Sequence, residues 1–415
     1  MKKIYTGIDL GSDSVKIVVS EFVDGKFYVL ASASVPSIGI KRGLVVDHEM
    51  AVNSVNLAIK EVDNILGMKV EKAIVVVPSN DRTLNVVSSK IEIEGKNNII
   101  DGSDIRKVLQ KATEESIPPQ EELVSVIPIS FKVDDRDDIK DPKGEKGDYL
   151  EVKAVCATAP KKIIYDIIKV FSECGIEVLD IAFGGIGDYY EVRANDTANS
   201  LGAIINVGSD TIDISVFNKG IIIKNAIVNL GSKNIDKDIA YVYGVDLATA
   251  KELKEKFAVC SRRYADINDI IEAPLGSDEK VVINQYEITE IVEARVTELL
   301  KLAKKEINDL TKRKISYIIV TGGISDLTGF SYVVENTLGI VASTLNMTTI
   351  GIRSNRYSSA FGAIKYFCEK NLLRGRDISM IDETIENAMM SSKKSMIETI
   401  DSTIMSKLFG YFTND

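Results

Sequence analysis

The sequence predicts an α/β protein of two similar lobes, the first of which carries a small inserted α+β unit. Three observations lead there. The chain has 415 residues, more than one hydrophobic core usually organises, so two or more domains are expected. A ten-residue pattern recurs near the start of each half. Residues 83–163 alternate Val/Ile-rich strands with one helix over residues 103–115 and an exposed, mobile charged loop over 134–148, the composition of a separate small unit.

Bulk composition excludes several function classes. Apolar residues make up 45% of the chain, which suits a globular body, and the net charge of −10 repels nucleic acid. Cys156, Cys174, Cys260 and Cys368 are spaced for neither a redox pair nor a zinc site, so reduced, mostly buried thiols are expected. His48 is the only histidine, which leaves no histidine triad or multi-histidine metal site. The start, MKKIYTGIDLG, enters a strand at once and reads as no leader. No apolar run approaches the roughly 20 residues of a membrane span, so any membrane contact is expected to be peripheral.

The repeat sets residues 8–17 (IDLGSDSVKI) against 205–214 (INVGSDTIDI). Each copy reads as a strand, a Gly-Ser-Asp turn and a returning strand. Such a turn is suited to phosphate. Gly11 and Gly208 let backbone approach a ligand closely, and successive N–H groups form an anion nest. Ser12, Ser14, Ser209 and Thr211 add hydroxyl donors, and Lys16 a cation. Asp9 and Asn206 stand just before the turns, and Asp13 and Asp210 within them, where an acidic or amide group can hold a metal-bound water. One copy alone would read as an ordinary polar hairpin. Two copies, one per half, can clamp one polyphosphate from both sides.

Two further stretches follow in order. Residues 319–325 (IVTGGIS) run a strand into Gly322, Gly323 and Ile324, small groups that let backbone approach a flat base and ribose. Residues 358–363 (SSAFGA) open an apolar helix containing Gly362. This order of paired hairpins, glycine loop and helix resembles the actin, sugar-kinase and heat-shock-chaperone ATPase superfamily. Residues 183–188 (FGGIGD) fall where that superfamily has its first connecting helix, although three glycines match a helix poorly.

Residues 37–47 (SIGIKRGLVVD), 127–134 (IPISFKVD), 141–144 (DPKG) and 149–152 (YLEV) narrow the resemblance to the FtsA family of bacterial cell division proteins. That resemblance implies an actin-like fold with ribonuclease H-like halves. The first lobe core would take residues 1–82, 164–200 and 357–373, and an SHS2-like insert 83–163. The second lobe core would take 201–226 and 308–356, with an outer subdomain over 227–307. A linker over 374–396 and an amphipathic membrane-targeting helix over 397–415 would follow. It also implies bound ATP with Mg2+, for which Asp9 and Asp210 are candidate partners, and self-assembly into filaments. The protein would sit on the cytoplasmic face of the cell membrane at the division site, hold the tail of the tubulin-like protein FtsZ and meet later division proteins. The relatives left open are a PilM-like adaptor of pilus assembly and a sugar-kinase-type phosphotransferase.

Two departures bear on activity. By the resemblance, the superfamily usually has Asp where Asn206 stands, and the neutral amide lacks the charge that positions metal and water. In the helix over 247–254, Lys254 matches a nucleoside-facing Lys, but Lys251 replaces the usual Glu. ATP is therefore expected as a structural ligand, with at best slow hydrolysis and no confident catalytic residue.

Residues 287–310 show a helical apolar stripe, and by resemblance Arg295, Glu298, Lys301 and Lys305 on its polar side would meet the FtsZ tail. Near the chain's end Ile404, Met405, Leu408, Phe409, Tyr411 and Phe412 gather on one side of a short helix, opposite Ser406 and Lys407. A polar stretch from Arg374 precedes them. An aromatic-rich amphipathic segment after a linker is the form of a peripheral anchor.

Overall fold

The computed structural model describes residues 3–79, 82–94, 97–114, 116–275 and 279–380. The first lobe opens with an antiparallel meander, β1 (Lys3–Leu10), β2 (Ser14–Val23) and β3 (Lys26–Pro36). A small hairpin follows, β4 (Ile40–Lys41) and β5 (Leu44–Val45), whose turn residues Arg42 and Gly43 both have positive φ. Helix α1 (His48–Leu66) is capped by Asp47, which accepts the Met50 N–H, and ends on Gly67 at φ 72. It buries Val55, Ile59 and Val62 on the meander. Strand β6 (Lys72–Val77) then pairs parallel to β1.

The insert comprises β7 (Thr83–Glu92), α2 (Gly102–Glu114), β8 (Glu121–Val133), β9 (Arg136–Ile139) and β10 (Tyr149–Pro160). Its sheet runs in the order β7-β10-β8-β9, and α2 closes a core of its own through Ile105, Val108 and Leu109. The charged stretch over 134–148 is more ordered than a mobile loop. It contains β9, hairpinned on β8. The Asp134 carboxylate accepts the Asp148 and Tyr149 N–H groups, and Arg136 pairs with Glu145.

The chain returns through α3 (Lys161–Glu173), β11 (Glu177–Phe183), α4 (Gly184–Val192) and the short α5 (Asn195–Ala198). The second lobe repeats the first, with the meander β12 (Leu201–Val207), β13 (Ile212–Asn218) and β14 (Ile221–Val228). Helices α6 (Lys233–Tyr243) and α7 (Leu247–Lys256), the hairpin β15 (Ile270–Leu275) and β16 (Glu279–Asn284), and α8 (Gln285–Leu310) form its outer part. Strand β17 (Tyr317–Thr321), α9 (Phe330–Leu338), β18 (Ala342–Thr344) and α10 (Ser358–Leu373) complete the described chain.

The two main sheets have one topology, β11-β6-β1-β2-β3 and β14-β13-β12-β17-β18, each an antiparallel meander continued by two parallel strands. The duplication reaches the register. Asp9 faces Lys16 across the first hairpin as Asn206 faces Asp213 across the second, one pair short of the turn. Each lobe has its own apolar core.

The glycines over 184–187 do form a helix, and the reason is packing. A methyl group at Gly362 of α10 would overlap the Gly187 carbonyl of α4, and one at Gly187 would overlap the Ser359 carbonyl. The two connecting helices cross so closely that only glycine fits.

One expectation changes at the end of the described chain. Residues 374–380, expected to begin a linker, pack on the body. The Met380 N–H donates to the Ile4 carbonyl at 2.9 Å, Met380 is buried in the first core, and Lys3 pairs with Asp377. The expected tail helix, with Ile404, Met405, Leu408, Phe409, Tyr411 and Phe412, lies outside the described residues.

Candidate functional site: a cleft between two hairpin turns

The turn after β1 and the turn after β12 face each other across the cleft between the lobes. Asp9, Asp13, Ser14, Lys16, Asn206, Gly208, Ser209, Lys254, Gly322, Gly323 and Ile324 line its upper part. Gly11, Ser12, Asp210 and Thr211 line the part below. Of the residues marked in the sequence for this role, Gly362 alone stands apart, at the crossing of α10 with α4. The second turn is closed by the Gly208 N–H on the Thr211 carbonyl at 2.9 Å. Gly322, at φ 106, sits where a side chain would run into the Val207 carbonyl, so the β17 loop lies directly against the second turn.

Contacts across the cleft are already made. Lys251 of α7 places Nζ 2.6 Å from Asp13 Oδ1. The Arg42 N–H, in the β4–β5 turn, donates to Asp210 Oδ2 at 3.1 Å. Within the first lobe, the Gly43 N–H donates to Ser12 Oγ at 2.9 Å and ties that hairpin to the first turn. Lys251 is thus one of the residues that join the lobes. Burial alone would raise the Asp13 carboxyl, but the Lys251 hydrogen bond and charge, with Lys16 and Lys254, hold it below its ordinary value.

Lys254 does not reach freely into the cleft. It is buried against Asp236 of α6, with Nζ 2.6 Å from Oδ1. Burial raises the Asp236 carboxyl in spite of that lysine.

Behind the second turn lies a group the sequence reading missed. Asp188, on α4, is wholly buried. Its carboxylate accepts the Ser358 hydroxyl at 2.6 Å, the Ser359 hydroxyl at 2.7 Å and the Asn206 Nδ2–H at 2.7 Å. Burial pushes its carboxyl up to about 7, against the pull of those three donors. Its only signal in the sequence is a charged residue closing a small, apolar, glycine-rich run. Arg82, at the entry to the insert, is buried too. It donates to Ser215 Oγ of the second lobe at 3.0 Å and lies 5.0 Å over the Phe183 ring. Burial brings its guanidinium down to about 10, and Asp213 offsets part of that.

The donor set does not suit a divalent ion. Asp9 is held by Lys16 at 3.1 Å, Asp13 by Lys251 and Asp236 by Lys254. Asp210 accepts from backbone, and position 206 offers a neutral amide. Among the described residues no group of three acidic, His or Cys side chains could hold a metal.

Two family models match the chain. That of cell division protein FtsA covers residues 203–362, and that of the SHS2 domain inserted in FtsA covers 82–158. The chain is 28% identical over 394 residues to cell division protein FtsA of Bacillus subtilis (strain 168), spanning 94% of this chain and 90% of that one. The chain belongs to the FtsA family of cell division proteins. It is also 27% identical over 384 residues to the FtsA of Pseudomonas aeruginosa, spanning 89% of this chain and 90% of that protein. Among solved structures, a PilM–PilN type IV pilus biogenesis complex superposes with a TM-score of 0.58 at 14% identity, over 88% of this chain and 98% of that one. MreB5 of Spiroplasma citri bound to ADP gives 0.54 at 12%, over 90% and 98%. These likenesses show the actin-like fold, and the match to the SHS2 domain inserted in FtsA falls on the β7–β10 unit.

On α8 the expected partner residues divide. Arg295 is engaged by Asp238 of α6 at 2.6 and 2.9 Å and by Glu298 at 2.6 Å. Lys301 and Lys305 stay exposed. Tyr241 and Val242, near the end of α6, are 90% and 59% exposed.

Proposed function

We propose that this FtsA-family chain is an ATP-binding adaptor that assembles on the cytoplasmic face of the cell membrane at the division site and tethers FtsZ filaments there. The observation that carries the reading is the pair of Gly-Ser-Asp turns opposed across one cleft. A triphosphate between them would meet N–H nests and hydroxyls from both lobes and hold the lobes together. The loop at Gly322–Gly323 leaves room for a base and ribose. A neighbour of the same fold, MreB5 of Spiroplasma citri, is described bound to ADP and to AMPPNP, which supports nucleotide in the equivalent cleft. Mg2+ would enter only as the ion that ATP carries in solution. Asn206 leaves ATP a structural ligand, hydrolysed slowly at best.

The FtsZ tail would dock on the outer part of the second lobe. Exposed Tyr241 and Val242 offer apolar contact, and Lys301 and Lys305 attract an acidic peptide. Self-assembly would multiply a weak grip by residues 403–412 on lipid. The test is fluorescence anisotropy of a labelled FtsZ tail peptide. Saturable binding weakened by Lys301→Glu with Lys305→Glu supports the reading. Unchanged binding, or none to the native chain, removes the tether.

A further inference from the structure

A buried carboxylate, Asp188, stands one layer behind Asn206. We propose that Asp188 is a positioning residue for the cleft: it fixes the Asn206 amide with its oxygen toward the ligand and ties the second turn to the two crossing helices.

The geometry sets the amide's orientation. Asn206 faces the wholly buried Asp188 carboxylate at 2.7 Å and Ser359 Oγ at 3.2 Å through one end of its side chain. Asp188 accepts from all three of its neighbours, and in that ionised form only the NH2 end of the amide can meet it, because oxygen against oxygen would repel. The amide oxygen therefore faces the other way, on the side of Gly322 and the cleft. A freely rotating amide could offer either end to a ligand. This one offers an acceptor.

The same carboxylate binds three elements. Ser358 and Ser359 open α10, Asp188 lies on α4, and Asn206 ends β12. The helices belong to the first lobe and the strand to the second, so the contact lies at the hinge. A turn that shifts on binding a ligand pulls on Asn206, and through Asp188 on both helices.

The pairing also explains why Asn stands at 206. Two carboxylates at 2.7 Å in a buried setting cannot both ionise. With Asp188 in place an Asp at 206 would need a proton on one of them. The chain has one carboxylate and one amide across this contact, in the reverse order from a carboxylate facing the cleft.

The test is a four-member cycle, Asp188→Asn, Asn206→Asp, the double variant and the native chain. It is read by urea unfolding, by ATP affinity and by phosphate release. Asn206→Asp should unfold at lower urea, and adding Asp188→Asn should restore the native midpoint. Asp188→Asn alone should weaken ATP about fivefold to tenfold while keeping the native midpoint, since an amide at 188 no longer dictates which end of Asn206 faces it. The double variant, with a carboxylate at 206, should release phosphate faster than the native chain. Additive midpoints with ATP affinity unmoved by Asp188→Asn would overturn the proposal. The ATP readouts rest on the nucleotide reading and the unfolding cycle does not. If the native chain binds no ATP while the midpoints still couple, the nucleotide reading and the positioning role both fall, and only the pair's structural coupling stands.

Discussion

Lys251 and Asp13 meet across the interlobe cleft at 2.6 Å, and they join α7 of the second lobe to the first phosphate-type turn. Each side chain is more than a third exposed, so the contact contributes at most about 1 kcal/mol. Lys251→Ala is expected to raise amide hydrogen exchange at Ser12–Ser14 about fivefold in the nucleotide-free chain, read by mass spectrometry. Unaltered exchange would mean that the lobes are held by other contacts.

Lys254 and Asp236 present the opposite case, because both are buried. Lys254→Met leaves a carboxylate without its cation and should cost about 3–5 kcal/mol, read from urea unfolding. Lys254→Met with Asp236→Leu should cost much less, since no charge is then stranded. Equal losses would show that shape, not charge, governs the site.

Gly362 and Gly187 permit the close crossing of α10 and α4. Gly362→Ala forces the helices apart and is expected to cost about 3 kcal/mol or more, seen as a lowered thermal midpoint. Gly67, which ends α1 with open space around it, provides the contrast. Gly67→Ala suffers only its left-handed backbone and should cost about 1 kcal/mol.

Asp188 makes stability depend on pH in a definite direction. Its carboxyl lies at about 7 in the fold against an ordinary value of 3.8. Between those values the folded chain binds a proton that the unfolded chain does not. This contribution to stability is therefore full below pH 3.8 and lost as pH rises through 7. Urea midpoints from pH 6 to pH 8 should fall more steeply for the native chain than for Asp188→Asn. Parallel profiles would refute the assignment.

The two lobes were legible because the repeat is local. Strand, turn and strand fit in ten residues, and IDLGSDSVKI and INVGSDTIDI preserve the hydrogen-bond register as well as the chemistry. The insert was legible from its strand spacing. What escaped depends on contacts between residues far apart in sequence. Helix propensity argues against residues 184–187, and only the proximity of Gly362, 175 positions on from Gly187, makes those glycines necessary. Lys251 reads as a departure in the sequence because its partner Asp13 lies 238 positions away. Asp188 closes the FGGIGD run, but nothing local marks it as the partner of Ser358, Ser359 and Asn206. The polar residues from Arg374 read as solvated linker, yet Asp377 and Met380 find Lys3 and Ile4 at the other end of the chain.

The central claim is that both turns grip one nucleotide. Calorimetric titration of ATP into the native chain, Gly11→Ala and Gly208→Ala tests it most directly. A side chain at Gly11 would crowd Lys16 Nζ and the Ser14 carbonyl, and one at Gly208 would press on the Thr211 carbonyl. The expected result is one ATP per native chain, with affinity reduced about tenfold or more by either substitution. Absence of binding to the native chain, or affinity untouched by one of the two substitutions, would contradict a ligand shared between the lobes.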